Sequence, residues 1–240
     1  ASGLSGVNER IDVLTFFSCS MGAIEVADTI EPYVDYMVAS EQTVTGSITY
    51  GGDPQKGLLD ILQATPSLSP EDISISMIDD DIFATNTKSA IDLSEISNMK
   101  NKIRSFSVDL INSLKNHKYH DVKYAYKNTR KYSVGQRDLY HFAELIDSEL
   151  SDITSDNILM DSINTAVIAE WHNKGNSNSH GLSSYMGRLI GRYLEDVEDF
   201  ADDTNWEDFL DSYHNYENQA PIKPEGLTTP SGTTETIKND

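Results

Sequence analysis

The chain has 240 residues and 26.7 kDa, with 39 Asp and Glu against 18 Lys and Arg, giving a formal net charge of −21 and a pI near 4.4. This excess of acid excludes sequence-independent nucleic-acid binding, which needs clustered Lys and Arg to neutralise phosphates, and it disfavours an anionic membrane surface. No run approaches the roughly 18–20 apolar residues that cross a bilayer, and the single cysteine, Cys19, excludes an internal disulfide framework and a Cys-rich zinc site.

In chain order, Ile11 to Phe17 is β-branched and aromatic and reads as a strand covered on both faces. It ends at Ser18-Cys19-Ser20-Met21-Gly22. Ile24, Val26, Ala27, Ile30 and Val34 then recur near helical spacing, which predicts a helix over Gly22 to Val34 with Pro32 disturbing its last turn. Tyr36 to Ser40 follows as a second strand. A strand–helix–strand unit of this kind predicts an α/β fold with a mostly parallel sheet, its functional residues at the C-terminal strand ends.

Thr43 to Asp53 is a Gly- and Thr-rich loop, a candidate pocket wall, and Pro54 to Ala64 regains helical spacing. Ser69-Pro70-Glu71-Asp72 opens a helix expected to run to about Ala84, with Ser as cap and acids at the positive end of the dipole. Ser89 to Ser94 precedes a further helix whose stripe of Ile96, Met99, Ile103, Phe106, Leu110, Ile111 and Leu114 extends to about Lys115. The segment 116–137, rich in Lys and Tyr, reads as a loop or a pair of short turns. Helices are predicted over Arg137 to Leu150, Ile158 to Trp171 and Trp206 to Tyr213, and a short strand over Gly181 to Tyr185. From Asn218 onward Pro, Thr and Ser dominate without periodicity, so the chain divides into a folded part, 1–216, and a flexible tail or linker, 217–240.

Cys19 sits where a strand ends and a helix is predicted to begin, where the helix dipole would favour the thiolate; the alternative is a small buried residue at a crowded strand end. The acidic runs Asp79-Asp80-Asp81 and Glu195-Asp196-Val197-Glu198-Asp199 lack the Gly and terminal Glu of an EF-hand and read as solvated helix faces, and no His, Asp and Glu spacing makes a metal site.

Cys19-Ser20-Met21-Gly22-Ala23-Ile24-Glu25-Val26-Ala27, Asp35 to Glu41 and Gly46 to Tyr50 resemble the segment around the nucleophile of the clostripain family of cysteine peptidases. Ser89 to Leu93, Arg137 to Ala143, His180 to Tyr185 and Asp203 to Leu210 resemble later landmarks of that family in the same order. The resemblance implies a partial caspase-like α/β sandwich with C-terminal helices, and a Cys–His dyad in which Cys19 is the nucleophile. It implies that Phe17, Ser18, Glu41 and Ser47 line the substrate site. The base it implies is a His in a His-Gly pair upstream of the nucleophile, whereas only 18 residues precede Cys19 and none is His. An upstream, His-bearing portion of the same protein is therefore an expected partner, with the isolated chain inactive and prone to associate.

The pair His180-Gly181 lies in the context of the late strand, where the family's His is not the base, and His141 reads as a surface or core-edge residue. Family members commonly carry an Asp two residues before the nucleophile to accept a basic P1 side chain. Phe17 stands there, so a basic preference is restored by Glu41 or Asp53, replaced by an apolar one, or lost in an inactive homologue that serves as a binding or surface module. Family habit adds a peptide or protein substrate, a secreted or cell-surface location and calcium as a candidate cofactor.

Overall fold

The computed structural model describes residues 9–44, 60, 62–78, 85–132, 135–188 and 200–218. β1 (Ile11–Thr15) and β2 (Val34–Ala39) lie parallel, Val13 opposite Tyr36, with α1 (Ile24–Ile30) between them. Arg10 fixes their entry, its guanidinium bonding the Asp35 carboxylate at 2.6 Å and the Val34 carbonyl at 2.7 Å. The helix is shorter than its apolar spacing predicts. At its start Ala23 is extended and bridges Ser183, and at its end the turn around Pro32 leads into β2 at Val34.

β3 (Thr87–Asp92) runs antiparallel to β2, and a later strand, Val167–His172, runs antiparallel to β3, which makes the order β1, β2, β3 and then that strand. Among the described residues only the first pair of this sheet is parallel, so the parallel share is smaller than the strand–helix–strand reading suggests. The reason lies in the connections. Val44 and Thr85 bridge each other at the end where β2 stops, so the chain re-enters from that end and β3 must run back.

β3 itself escapes a hydrophobicity reading because its first three buried residues, Thr87, Lys88 and Ser89, are polar and individually satisfied, with only Ala90 and Ile91 apolar. Ser89 donates to the Gly181 carbonyl at 2.6 Å, Thr87 shares a hydroxyl bond with Ser40 at 3.1 Å, and the Lys88 ammonium lies 5.1 Å from the centre of the Trp171 ring. Buried polar groups are tolerated where such partners exist.

α2 (Pro70–Ser76) begins as the sequence indicates, with the Ser69 hydroxyl accepting from the Asp72 N–H at 3.1 Å. It stops well before Ala84, because Met77 and Ile78 turn into a small core with Val38 and Ala90 on one face of the sheet. Residues 79–84 and most of the helix predicted over 54–64 lie outside the described residues.

The other face carries the main core. α3 (Ile96–Lys115) realises the predicted stripe, with Ile96, Met99, Ile103, Phe106, Leu110 and Leu114 all buried. α4 (Tyr119–Asn128) is a helix where a loop was expected. Its Val122, Ala125 and Tyr126 point inward at helical spacing, and the many polar residues between them hide that pattern. β4 (Gln136–Asp138) leads directly into α5 (Leu139–Glu149), and α6 (Ser155–Ala166) ends where β-branched Val167 and Ile168 open β5 (Val167–His172). The helix predicted through Trp171 is thus two elements. β6 (Ser183–Tyr185) pairs antiparallel with β4 in a second, two-stranded sheet. α7 (Trp206–Asn218) packs Trp206, Phe209, Leu210 and Tyr213 into the core and runs past the predicted end at Tyr213. The tail beyond it lies outside the described residues.

No helix among the described residues is long and apolar enough to cross a membrane.

Candidate active site

β1 carries the chain to the site. Beyond Thr15 the ladder continues for one bond, Phe16 N–H to Val38 carbonyl at 2.9 Å, after which Phe17, Ser18 and Cys19 are all exposed. The Cys19 thiol is free and open to solvent, its Sγ 3.7 Å from the Val44 carbonyl, which rules out the reading of a small residue sealed at a crowded strand end. The dipole support expected for a thiolate is missing. α1 starts at Ile24 with Ala23 as its N-cap, so Cys19 lies ahead of the first turn, beyond which the dipole effect falls off.

What fixes Cys19 is a turn clasped from two sides. Ser20 takes a left-handed conformation, φ 59°, which a non-glycine residue holds only when its surroundings impose it. Its N–H donates to the Gln42 carbonyl at 3.1 Å, and the Gly22 N–H donates to the Ser40 carbonyl at 2.9 Å. Gly22 is required there, since a Cβ would stand 2.8 Å from the Glu41 nitrogen. On the other side the Gly22 carbonyl accepts from both the N–H and the hydroxyl of Ser183 at 2.9 Å, and the Ser20 carbonyl accepts from Gln136 Nε2 at 3.3 Å. Below them Glu25 is buried, its Oε1 accepting from the Ser184 hydroxyl at 2.7 Å and the Tyr185 N–H at 2.9 Å.

Of the residues expected to line a substrate site, Phe17 presents a ring that is 44% exposed, and Ser18 is exposed beside it. Glu41 is not at the surface: it is 1% exposed. Its Oε2 accepts from the Gly181 N–H at 3.2 Å, and burial first, then the charge of Asp138, push its carboxyl well above the usual range. A buried acid held neutral offers no charge to a basic side chain, so the suggestion that Glu41 restores a basic preference is corrected by its burial. Ser47, Ile48 and Asp53 lie outside the described residues.

His141, His172, His180 and His214 engage other groups. His141 Nδ1 accepts from the Arg130 N–H at 3.0 Å, and burial pushes its imidazole below the usual value. The His180 ring stacks on Tyr140 at 4.3 Å, His172 Nδ1 lies 3.1 Å from the Asn173 carbonyl, and His214 is buried against Tyr126 and Tyr213. His141 is at the core edge as expected.

Sequence reasoning misses Asp138. It is fully buried at the α5 N-cap, where Oδ1 accepts from the His141 N–H at 2.7 Å and Oδ2 from the His180 N–H at 2.7 Å and the Tyr132 hydroxyl at 2.9 Å. An Asp ahead of an apolar run is a readable cap signal; its proximity to Glu41 is a product of the fold. Among the described residues no group of three or more His, Cys, Asp or Glu could hold a metal ion. Both acidic runs weighed for calcium lie outside them.

The profile of the clostripain family matches residues 2–216. The chain belongs to the clostripain family. Among solved structures it is similar to a clostripain from Bacteroides thetaiotaomicron in complex with a peptide inhibitor, at 15% identity and a TM-score of 0.57, over 87% of this chain and 91% of that one. A cysteine protease from B. fragilis matches at 17% identity and a TM-score of 0.58, over 85% and 93%. An inactive zymogen C11 protease from Parabacteroides distasonis matches at 16% and 0.58, over 85% of this chain and 60% of its own. No curated protein matches. At such identities these likenesses establish the fold, the caspase-like α/β sandwich of a family of cysteine peptidases.

Proposed function

We propose that the chain is the nucleophile-bearing part of a cysteine endopeptidase whose general base, a histidine, comes from a segment upstream of Ala1. The observation that carries this reading is the exposed Cys19 thiol at the end of β1, which is the terminal strand of the sheet and has a partner on one edge only among the described residues. A further strand added there would end beside the thiol. Without an imidazole a thiol is only a few per cent thiolate at neutral pH, so the supplied base is what makes the sulfur a nucleophile.

The reaction is acyl transfer. The base takes the thiol proton, the sulfur attacks the scissile carbonyl, and the oxyanion is met in part by the Cys19 N–H. Collapse expels the amine, which takes the proton from the imidazolium, and leaves a thioester on Sγ. Water then adds with the same base and releases the acid.

Phe17 supports an apolar P1 preference, since its exposed ring meets alkyl or aromatic side chains by burial and offers nothing to a guanidinium comparable to a carboxylate. A secreted C11 protease from B. thetaiotaomicron, similar at 18% identity with a TM-score of 0.59, supports an extracellular setting. The test uses full-length protein with a peptidyl acyloxymethyl ketone and with peptides bearing Arg, Lys or Leu at P1. Intact mass should show one label, absent in Cys19→Ala, and turnover should favour Leu. No label and no turnover with any peptide would mean an inactive caspase-like module that serves in binding.

A further inference from the structure

Two stretches hold the Cys19 turn, residues 40–42 on one side and residues 136 and 183 on the other. One side chain spans from the first to the frame of the second. Glu41 lies between Ser40 and Gln42, whose carbonyls take the Gly22 and Ser20 N–H groups, and its carboxyl reaches the Gly181 N–H and the Asp138 carboxyl. Glu41 Oε1 is buried and accepts no hydrogen bond of ordinary geometry among the described residues, although the Tyr132 hydroxyl lies near enough to favour its charged form in part, while the Asp138 oxygens accept three bonds from His141, His180 and Tyr132. Two carboxyls pressed together in the dry interior cannot both be charged, and the donors converge on Asp138, so the proton they share belongs on Glu41.

We propose that Glu41 is a positioning residue, a neutral acid that donates to Asp138 and so clamps the Cys19 turn between the end of β2 and the β4–α5 corner. This replaces the substrate-binding role that the resemblance gives it, and its effect on catalysis rests on the peptidase reading.

The groups around it deepen the effect. Glu170 on β5 adds a further acid whose own carboxyl is raised by burial. Tyr132, whose phenol burial raises strongly, stays a neutral donor, and Arg130 sits 5.7 Å over the Tyr132 ring. His141 is turned to Arg130 and Asn178, and His180 stacks on Tyr140 and interacts with Glu170.

Linkage fixes the sign. Folding raises the Glu41 pKa above its unfolded value of about 4.3, so unfolding releases a proton in the window from there up to the raised value. Stability conferred by the clamp is therefore full below that window and falls as pH rises through it.

The experiment follows full-length protein, Glu41→Gln and Glu41→Ala from pH 6 to 9 by two readouts, urea unfolding and the rate of Cys19 labelling by a peptidyl acyloxymethyl ketone. Gln keeps the geometry, with an amide donating to Asp138 and a carbonyl accepting from Gly181, but cannot ionise. The unfolding constant of the wild type should rise about tenfold per pH unit more steeply than that of Glu41→Gln within the window. Labelling of Glu41→Gln at neutral pH should stay within about threefold of wild type, Glu41→Ala should lose at least about tenfold, and the ratio of wild-type to Gln rates should fall as pH rises.

Parallel unfolding profiles for wild type and Glu41→Gln, or a Gln variant as impaired as Ala, would overturn the clamp. Should no variant label at any pH while the unfolding profiles diverge as stated, the peptidase reading fails and the clamp stands.

Discussion

Phe17 and Glu41 show how one position in a fold changes meaning with burial. Both are candidates for contact with a substrate side chain, but Phe17 is 44% exposed near Cys19 and Glu41 is 1% exposed. Only the first can meet a ligand without rearrangement. Replacing Phe17 by Asp puts a carboxylate where an arginine or lysine side chain would approach, and a charge-assisted pair at a partly wet site contributes about 1.5–3 kcal/mol. Phe17→Asp should therefore move the ratio of kcat/KM for Arg over Leu at P1 by at least about tenfold toward Arg. Fluorogenic peptides differing only at P1 measure it, and an unchanged ratio would place the P1 side chain away from residue 17.

At the scale of the elements, the main apolar core is organised around α3, whose Phe106 is fully buried in edge-on contact with Phe142 at 5.8 Å between ring centres. Phe106→Ala should cost about 3–5 kcal/mol in urea unfolding, because lost burial and an unfilled cavity add. Val108→Ala on the same helix, 41% exposed, should stay within about 0.5 kcal/mol. The same contrast explains what was legible. The stripe of α3 and the Ser69 cap of α2 write their structure in neighbouring residues, so they read correctly without the fold; the β-branched run of β1 shows its strand, but the cover expected on both faces is absent, since Asp12 is exposed and the other residues of Ile11–Thr15 are only half-buried. β3 does not, since Thr87, Lys88 and Ser89 are buried only because Ser40, Trp171 and Gly181 arrive from distant segments to satisfy them. Likewise α6 and β5 follow without a loop, and the apolar character of Val167 and Ile168 prolongs a helical pattern until pairing with β3 ends it. Cys19 and the turn that bears it were legible as a motif; the nearness of Asp138 to Glu41 was not, since nothing near Asp138 in sequence names Glu41.

For the whole molecule two forces oppose each other at β1. Its outer edge has no strand beside it among the described residues, and of Ile11-Asp12-Val13-Leu14-Thr15 only Asp12 is a charged guard. An apolar edge of that kind templates pairing with another chain at strand spacing, about 4.8 Å. Against this, a net charge of −21 makes every copy repel its neighbours, and that repulsion reaches only as far as salt allows, about 10 Å at 0.1 M and less at higher concentration. The chain expressed alone should therefore associate more at about 0.5 M NaCl than at about 0.05 M, the reverse of what ion-pair contacts would give. Coexpressed with the proposed upstream segment it should stay monomeric at both, because the added strand takes the edge before a second copy can. Light scattering on a sizing column separates the cases: a lone chain that is monomeric at both salts would show that the edge is already covered, and association that weakens with salt would point to charge contacts elsewhere on the surface.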